Sequence, residues 1–459
     1  MREPGLVRQI SLIGACALVV SNTLGQGIFT STGFLIGQLG SPTVVISIWI
    51  VGALLALVGA LCYSELGVNF QRSGGEYIYL SEAWGPAWGF IDGWVSFFAG
   101  FSAPIATAAL AISAYLSYFY PALEVTQTHS FSLGILNISL EGAQLLACCI
   151  VAVLTLLNLL AVDLVAKMQN FLTTTKLIVI LAFLVLGFGF GDGDWTNFDR
   201  VAERTTSSGI TMQFAISLVW VYTAYSGWNA AVYVAEEIRN PAKNLPIALI
   251  TGTIFVAIIF IALNILYIYA VPPEQLKNVL SVGAKSSSFL FGPTVSGFFS
   301  VAMAVSLLAT VNAMCMVGPR VYYAMAKRGA FFSGAAKIHP RWKSPWVAVL
   351  YQGACCMILI LTGTFESLVY YVGFTLSLFS ALSVLALFKF RKYPNWKKLP
   401  WVSFGYPFLP TLYVTTNLWI FLNFAPGQRW ASALSFLTVV SGALLYRLYR
   451  TPSSISSQP

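Results

Sequence analysis

Apolar stretches of about 20 residues follow one another along almost the whole chain, with short polar segments between them. Such a stretch can cross a bilayer as an α-helix, because a helix satisfies its own backbone hydrogen bonds in lipid. Hydrophobic residues make up 58% of the sequence and charged residues only 9%, which excludes an ordinary soluble domain. The pattern predicts an all-α integral membrane protein that forms a single domain over residues 1–459. The twelve predicted membrane-spanning helices lie at approximately 10–36, 42–69, 88–118, 143–161, 170–190, 212–235, 246–270, 288–318, 345–363, 366–388, 404–424 and 430–447.

The 25 Lys and Arg residues are distributed unevenly between the two sides of these predicted helices. If the N-terminus is cytoplasmic, most of them fall in cytoplasmic segments, and one, Lys176, lies within an apolar stretch. This bias predicts a multi-pass protein of the cell (inner) membrane with both termini in the cytoplasm. The net charge of +9 therefore implies no nucleic-acid partner. The basic residues on the outer side are Arg200, Arg204, Lys277, Lys285 and Arg429.

Two of the predicted helices are interrupted near their middles. The first contains Gly-Gln-Gly at residues 25–27, and the sixth contains Ser226 and Gly227. A helix can stop at membrane depth only where its freed backbone groups face protein or a cavity. Two such breaks at corresponding positions predict one shared binding site near the bilayer midplane, as in carriers that are built from repeats. The alternative is that the glycines only allow close helix packing.

The positions of the two breaks also predict how the domain is organised. Helices one to five (approximately 8–190) and six to ten (approximately 205–390) can be two repeats, with helices eleven and twelve (approximately 400–448) added. Because five crossings are an odd number, the second repeat would enter the membrane from the opposite side. We therefore expect a 5+5 inverted repeat in which the two broken helices meet.

The backbone groups freed at the breaks suggest what the site binds. The amides of Gln26 and Gly27, together with the positive end of a half-helix that begins near Ile28, suit a carboxylate. Uncapped carbonyl groups at both breaks suit an ammonium group. A site that offers both is complementary to a zwitterion, and an α-amino acid is the commonest metabolite of this form. The carbonyl groups belong to Thr23, Leu24, Thr223, Ala224 and Ser226.

Several motifs resemble the amino acid–polyamine–organocation (APC) superfamily over residues from about 8 to 390. Some of them resemble in particular its L-type amino acid transporter (LAT) branch. The short termini are typical of a bacterial homologue. The motifs are GQGIF at 25–29 for the first helix, GALCYSEL at 59–66 and SGGEY at 73–77 for the second helix and its loop, YSGWN at 225–229 and EEIRNPAKNLP at 236–246 for the sixth helix, and IHP at 338–340 with Pro345 for the loop after the eighth.

The resemblance implies a LeuT-type fold with discontinuous helices 1 and 6 and an alternating-access cycle. It also implies that the backbone at 25–27 holds the substrate carboxylate, while the five carbonyl groups named above hold the amine, with Gly227 at the second break. Two residues depart from the family pattern. Gln26 replaces a small serine, and Thr223 stands where many members carry an aromatic gate residue.

Lys176 is the only Lys or Arg in the middle of a predicted membrane segment. A charged group at this depth is costly and is a functional hypothesis by default. By similarity to the family, it occupies the position at which sodium-coupled relatives bind sodium, and its ammonium would replace that cation while holding helix five to helix one. We therefore expect sodium independence. The alternative is that Lys176 extends to an interface and anchors the helix.

Selectivity for the substrate side chain is expected to come from the walls near the breaks. Asn229 opens the second half of helix six and is expected to face the cavity. None of the wall candidates is charged, so a charged substrate side chain would enter without a counter-charge, and neutral amino acids are predicted. The alternative is that these residues are core packing. The candidates by resemblance are Ala99, Gly100 and Ser102 on helix three, and Tyr370, Tyr371 and Phe374 on helix ten.

Charged residues also cluster at the predicted inner ends of the helices. They can form salt bridges that latch the cytoplasmic side, or they can cap and solvate helix ends. The segment 389–392 is expected to mark the cytoplasmic membrane boundary. The clustered residues are Glu65, Arg72, Glu76, Glu236, Glu237, Arg239 and Arg320.

Other classes of function and partner are disfavoured. His129 and His339 are the only histidines, both in predicted loops, so we expect no metal, no cofactor and no enzyme activity. The predicted outer loop 119–142 contains no cysteine, so we expect no disulfide-linked heavy chain of the kind that eukaryotic LAT members use. A channel or receptor would need a continuous pore or an output domain, and neither is suggested. The chain is expected to be an amino acid exchanger (antiporter), with a proton-coupled amino acid symporter as the alternative.

Overall fold

The computed structural model describes residues 8–72, 74–125, 130–133, 136–160, 162–327, 331–342, 344–422 and 429–449. Ser73 of the SGGEY motif and His129 lie outside these residues. His339 lies in a loop, as expected, and stacks on Trp342 with ring centroids 3.9 Å apart.

Helices account for nearly all of the regular structure in these ranges. The α-helices are α1 (Leu12–Thr23), α2 (Gln26–Leu39), α3 (Pro42–Asn69), α4 (Glu76–Trp84), α5 (Pro86–Val95), α6 (Ala103–Leu116), α7 (Gly142–Leu160), α8 (Val162–Phe190), α9 (Ile210–Tyr225), α10 (Pro241–Ala270), α11 (Pro273–Leu276), α12 (Val282–Lys327), α13 (Trp346–Thr362), α14 (Phe365–Phe390), α15 (Pro400–Ser403), α16 (Phe408–Leu422) and α17 (Arg429–Tyr449). A π-helical segment, Ser96–Ser102, joins α5 to α6, and 3-10 helices occupy Pro121–Leu123, Trp195–Asp199, Ala230–Glu237 and Ser333–Ala336.

The boundaries of several helices follow from local sequence. Pro42, Pro86 and Pro241 each stand in the first turn of their helix, where the missing N–H costs nothing. At α14, Thr364 and Ser367 exchange hydrogen bonds in a capping box. The long helix α12 bends at Gly292, whose φ of 75° favours glycine.

The number of membrane-spanning helices is consistent with the twelve expected. Nine helical stretches in the described ranges are long and apolar enough to cross a membrane, α1 and α2 together forming one of them. Helices α13 and α16 are shorter apolar helices. Helix α9 and the 3-10 helix after it lie at the residues predicted for the broken sixth helix. Large exposed apolar side chains such as Phe190, Phe298 and Leu448 suit contact with lipid.

Two elements of the loops were not expected from the sequence. Helix α4 lies in the loop after α3, and an antiparallel hairpin of β1 (Ser130–Leu133) and β2 (Leu136–Ser139) interrupts the predicted outer loop. The inner side of the bundle is defined as the end where α1 begins, which the basic residues predict to be cytoplasmic. The outer side is the end where α2 finishes.

Candidate functional site

The first break lies between α1 and α2. Leu24 and Gly25 have non-helical backbone angles, and α2 begins at Gln26, two residues before the expected Ile28. The first turn of α2 contains no acidic residue, and no side chain caps it. The amides of Gln26 and Gly27 therefore have no side-chain acceptor, which is the condition that the carboxylate hypothesis requires.

The second break begins where α9 ends, at Tyr225. Residues 226–229 form a turn before the 3-10 helix begins at Ala230. Gly227 has a φ of 102°, a conformation that strongly favours glycine. Ser226 stabilises the turn, since its N–H and its hydroxyl donate to the Thr223 carbonyl at 3.2 and 2.7 Å.

The two breaks are in direct contact with each other. A Cβ added at Gly27 would overlap the Cα of Ala224, and one added at Gly227 would lie 2.8 Å from the Asn22 carbonyl oxygen. Both glycines are therefore required for close approach, as the packing alternative proposed. Gly25 differs, because the nearest atoms to a Cβ there are 3.9 Å away. A methyl group at Gly25 would therefore meet its neighbours at ordinary van der Waals distance.

Several of the carbonyl groups named from the sequence already accept hydrogen bonds. The Thr23 carbonyl accepts the Gly25 amide at 2.7 Å, and the Leu24 carbonyl accepts the Lys176 ammonium at 2.7 Å. Because a carbonyl oxygen has two lone pairs, each of these two groups can accept a further bond from a ligand ammonium. The Thr223 carbonyl accepts both the N–H and the hydroxyl of Ser226, so it would have to exchange one of these bonds to bind a ligand.

Lys176 connects α8 to the first break and to α12. Its ammonium lies 2.7 Å from the Leu24 carbonyl oxygen, 3.2 Å from that of Ser21 and 3.2 Å from the Thr310 hydroxyl oxygen. Three neutral acceptors thus match the three donors of an ammonium group. The residue is only 1% exposed, so it does not extend to an interface, and the tether between helices five and one that the resemblance implied is present.

The wall candidates on helix three lie in the π-helical segment. Ala99 and Ser102 are buried and Gly100 is half-buried. The Ser102 hydroxyl donates to the Phe97 carbonyl, five residues earlier, at 2.7 Å. Such π segments are rare and occur frequently at functional sites. The apolar pattern of residues 96–102 gave no sign of it.

On α14, the structure separates the wall candidates. The Tyr371 hydroxyl shares a hydrogen bond of 2.9 Å with Thr438 on α17, and Phe374 stacks on Tyr370. The residues of α14 that approach the second break are Val369 and Gly373, which were not predicted. The Thr223 hydroxyl donates to the Val369 carbonyl at 3.5 Å, and a Cβ at Gly373 would lie 2.9 Å from the same hydroxyl oxygen.

With this geometry established, comparison with known proteins assigns the family. Residues 10–444 match the family model described as amino acid permease. The chain belongs to the amino acid permease family. This confirms the resemblance to the APC superfamily and the predicted all-α, multi-pass class. Because the family consists of membrane transporters, it also agrees with the expectation that the chain is not an enzyme.

The permease is similar to characterised transporters over nearly its full length. It is 28% identical to the b(0,+)-type amino acid transporter 1 of Mus musculus, over 98% of this chain and 89% of the relative. It is 27% identical to the serine/threonine exchanger SteT of Bacillus subtilis (strain 168), over 97% of each chain. It is 28% identical to the large neutral amino acids transporter small subunit 2 of Homo sapiens, over 86% of this chain and 71% of the relative.

On the outer side of the breaks, five buried side chains form a neutral hydrogen-bond network, named here the outer network. The Gln38 side-chain oxygen accepts from Ser217 at 2.7 Å and from Gln213 at 3.4 Å. The Tyr370 hydroxyl accepts from the Gln38 amide and from the Trp220 indole, each at 3.2 Å. The network ties α2 to α9 and α14 on this side of the breaks.

On the inner side, the hydrogen bonds converge on a carboxyl group, whereas those of the outer network join neutral amides, hydroxyls and an indole. Glu76 accepts from the hydroxyl of Tyr63, from the Asn229 amide at 3.2 Å and from the Tyr233 hydroxyl at 3.3 Å. These four residues are named the inner network. Burial raises the pKa of Glu76, while the hydrogen bonds from Tyr63, Tyr233 and Asn229 act in the opposite direction. Asn229, expected in the cavity, thus donates its amide to Glu76.

The charged residues at the inner ends form one pair of each kind that the sequence suggested. Glu65 is 3% exposed and binds Arg391 through two bonds of 2.7 and 2.6 Å, and Trp396 donates to it at 2.7 Å. Arg391 comes from the segment that was assigned to the membrane boundary. Arg72 pairs instead with Glu82 at 2.5 Å on the surface. One latch-like ion pair and one solvated pair are therefore both present.

Proposed function

We propose that this permease is a sodium-independent exchanger of neutral L-amino acids that works by alternating access. The observation that carries the proposal is the position of the Lys176 ammonium, bound by Leu24, Ser21 and Thr310 beside the first helix break. A fixed cation at this point supplies the positive charge that a bound sodium ion would otherwise supply. Transport therefore needs no sodium to tie α8 to the unwound part of α1.

The breaks supply complementary groups for both ends of an amino acid. The uncapped amides of Gln26 and Gly27 lie at the positive end of α2 and suit the carboxylate. The carbonyl groups of Thr23, Leu24, Thr223, Ala224 and Ser226 suit the ammonium. Gly227 gives the second break the conformation that brings these groups together.

Neutral substrates are favoured by the charges around the breaks. Lys176 is the only charged residue among the binding and wall candidates, and its three donors are already occupied. A charged substrate side chain would therefore be desolvated without a partner, at a cost of several kcal/mol. Exchange is supported by the similarity to a serine/threonine exchanger, and symport with protons remains the alternative outcome.

Uptake into proteoliposomes tests these statements together. Labelled neutral amino acid is supplied without sodium, at equal pH on both sides, to empty vesicles and to vesicles preloaded with unlabelled amino acid. We expect uptake only into preloaded vesicles, no loss when choline replaces sodium, and little uptake of lysine or glutamate. Uptake into empty vesicles that rises with an inward proton gradient would instead establish the symporter.

A matched pair of glycine variants tests the location of the site. Gly25→Ala adds a methyl group beside the α2 amides without a clash, so we expect an intact protein with a raised KM on both sides. Gly27→Ala drives its methyl group into the backbone of Ala224, so we expect the two breaks to separate and transport to be lost. An unchanged KM for Gly25→Ala would contradict carboxylate binding there.

We also propose that the permease acts without a disulfide-linked partner, in the cell (inner) membrane with both termini cytoplasmic. The purified chain alone should therefore be sufficient for transport in the proteoliposomes. A protease applied to intact spheroplasts should leave tags at both termini uncut. Cleavage of either tag would contradict the orientation that the basic residues predict.

A further inference from the structure

Glu76 joins elements that are separate along the chain. It is the first residue of α4 and accepts hydrogen bonds from Tyr63 on α3 and from Asn229 and Tyr233, which follow the second break. The carboxylate is 7% exposed, whereas Tyr233 at the inner rim is 37% exposed. Glu76 is therefore a buried hub just beneath the inner surface.

The hub has no basic partner. Within the described ranges, no Lys or Arg nitrogen lies within 4.0 Å of the Glu76 carboxyl group, and the ion pairs involve Arg72, Arg200 and Arg391 with other acids. All three partners donate to the carboxyl oxygens, which is the arrangement that suits an ionised carboxylate, and bonds to an ionised group are stronger than neutral ones. Replacing the carboxylate by a neutral group would therefore weaken all three bonds at once.

The segment held by Glu76 is continuous with the substrate site. Asn229 follows Gly227 by two residues, and Gly227 contacts the first break through the Asn22 carbonyl. Between them, Trp228 is 5% exposed and its ring packs against that of Tyr63, with centroids 4.8 Å apart. Movement of this segment away from α3 and α4 would therefore break the bonds to Glu76.

We propose that Glu76 is a positioning residue of the transport cycle: its carboxylate holds the segment after the second break against α3 and α4, and these bonds must break before substrate can reach the inner side. The proposal rests on the alternating-access cycle proposed above. Under this proposal, Asn229 links the second break of the binding site to the carboxylate that keeps the inner side closed. Glu76 itself does not contact the substrate.

The test is Glu76→Gln, which keeps the shape of the side chain but removes its charge. Loss of the latch shifts the population towards the inward-open state. We therefore expect the internal KM to fall and the external KM to rise, so that their ratio changes by about tenfold. Tyr233→Phe and Tyr63→Phe each remove one donor and should change the ratio in the same direction by less. Glu76→Asp keeps the charge, so it should bring the ratio of the two KM values part of the way back to that of the wild type.

Glu82→Gln is the matched control, because Glu82 lies on the same helix but is exposed and paired with Arg72. It should leave both KM values unchanged. An equal change of the two KM values for Glu76→Gln, or no change, would overturn the proposal, because a merely structural role predicts no asymmetry.

A second measurement needs no substrate and so separates this proposal from the proposed function. Val232 lies in the segment that Glu76 holds, is fully buried and lies 3.2 Å from a Cβ added at Gly75, next to Glu76, whereas Cys356 is fully buried on α13. In a Val232→Cys background, opening of the inner side should let a membrane-impermeant maleimide label position 232 faster with Glu76→Gln than without it, with Cys356 unchanged, as read by mass spectrometry. Equal labelling of position 232 with and without Glu76→Gln would overturn the latch even if exchange is confirmed.

Discussion

The two sides of the helix breaks are closed by hydrogen-bond networks of different chemistry. The outer network consists of amides, hydroxyls and an indole, and its bonds are spread over Gln38 and Tyr370. The inner network places three donors on one carboxylate, that of Glu76. Neutral bonds contribute about 1 kcal/mol each and those to a charged group about 1.5–3 kcal/mol.

This difference means that closure on the inner side depends on fewer residues. Losing one donor of the outer network leaves other bonds in place, whereas losing the Glu76 charge weakens every bond of the inner network. Charge also dominates further along the inner side, where Glu65 and Arg391 form a buried pair. We therefore expect substitutions on the inner side to have the larger effects.

The largest effect is expected for Arg391→Ala. It leaves the Glu65 carboxylate buried without its partner, and breaking a buried pair in this way costs about 3–5 kcal/mol. Thermal unfolding of the purified protein in detergent would measure the loss. Adding Glu65→Gln to this variant should recover part of the stability. If Arg391→Ala were no more harmful than an outer-network variant, the contrast between the sides would be wrong.

Lys176→Met is expected to affect both sides equally, because Lys176 lies at the break between the two networks. The variant keeps a side chain of similar length but leaves the Leu24 carbonyl without its donor. Unpaired buried acceptors cost about 1–3 kcal/mol, so we expect a loss of kcat/KM of about fivefold to a hundredfold from either side. Sided exchange kinetics would measure it. A loss confined to one side would show that Lys176 acts on the closure of that side rather than on the shared site.

Gln38→Leu should produce the opposite asymmetry to Glu76→Gln. It removes the neutral hub of the outer network and favours the outward-open state, so the external KM should fall and the internal KM should rise. The loss of neutral bonds predicts a change in their ratio of about fivefold. The same proteoliposome exchange assay measures both KM values for Gln38→Leu and for Glu76→Gln. A change in the same direction for both would show that the networks do not act as opposed gates.

The smallest effect is expected for Arg72→Ala. The pair of Arg72 and Glu82 lies on the inner side, but its side chains are 54% and 45% exposed. Exposed pairs contribute at most about 1 kcal/mol and are screened by salt. Stability and both KM values should therefore stay close to those of the wild type. A clear shift in either KM would show that inner charge matters even where it is solvated.

Local sequence was sufficient for features that depend on chain composition over short distances. Glycine and polar residues within an apolar run revealed both helix breaks, and α2 begins within two residues of its expected start. Lys176 was recognisable because a single charge in an apolar segment needs a polar partner. The inverted repeat and the neutral specificity are still predictions.

Tertiary structure decided the partners of individual side chains. Asn229 donates to Glu76, which is 153 positions away in the sequence, and Tyr371 shares a hydrogen bond with Thr438. Arg391, from the predicted boundary segment, pairs with the buried Glu65. These contacts depend on how each helix is rotated about its axis. In lipid the apolar pattern specifies that rotation weakly, because the outside and the interior of the bundle are both apolar.

The sequence by itself thus determined that this chain spans a membrane, where two of its helices break and which cation lies at membrane depth, since each follows from the cost of exposing polar groups to lipid. Only the tertiary structure decided that a carboxylate closes one side and neutral groups the other. That choice depends on side chains from distant segments meeting in three dimensions, and the spacing of residues along one helix does not encode it.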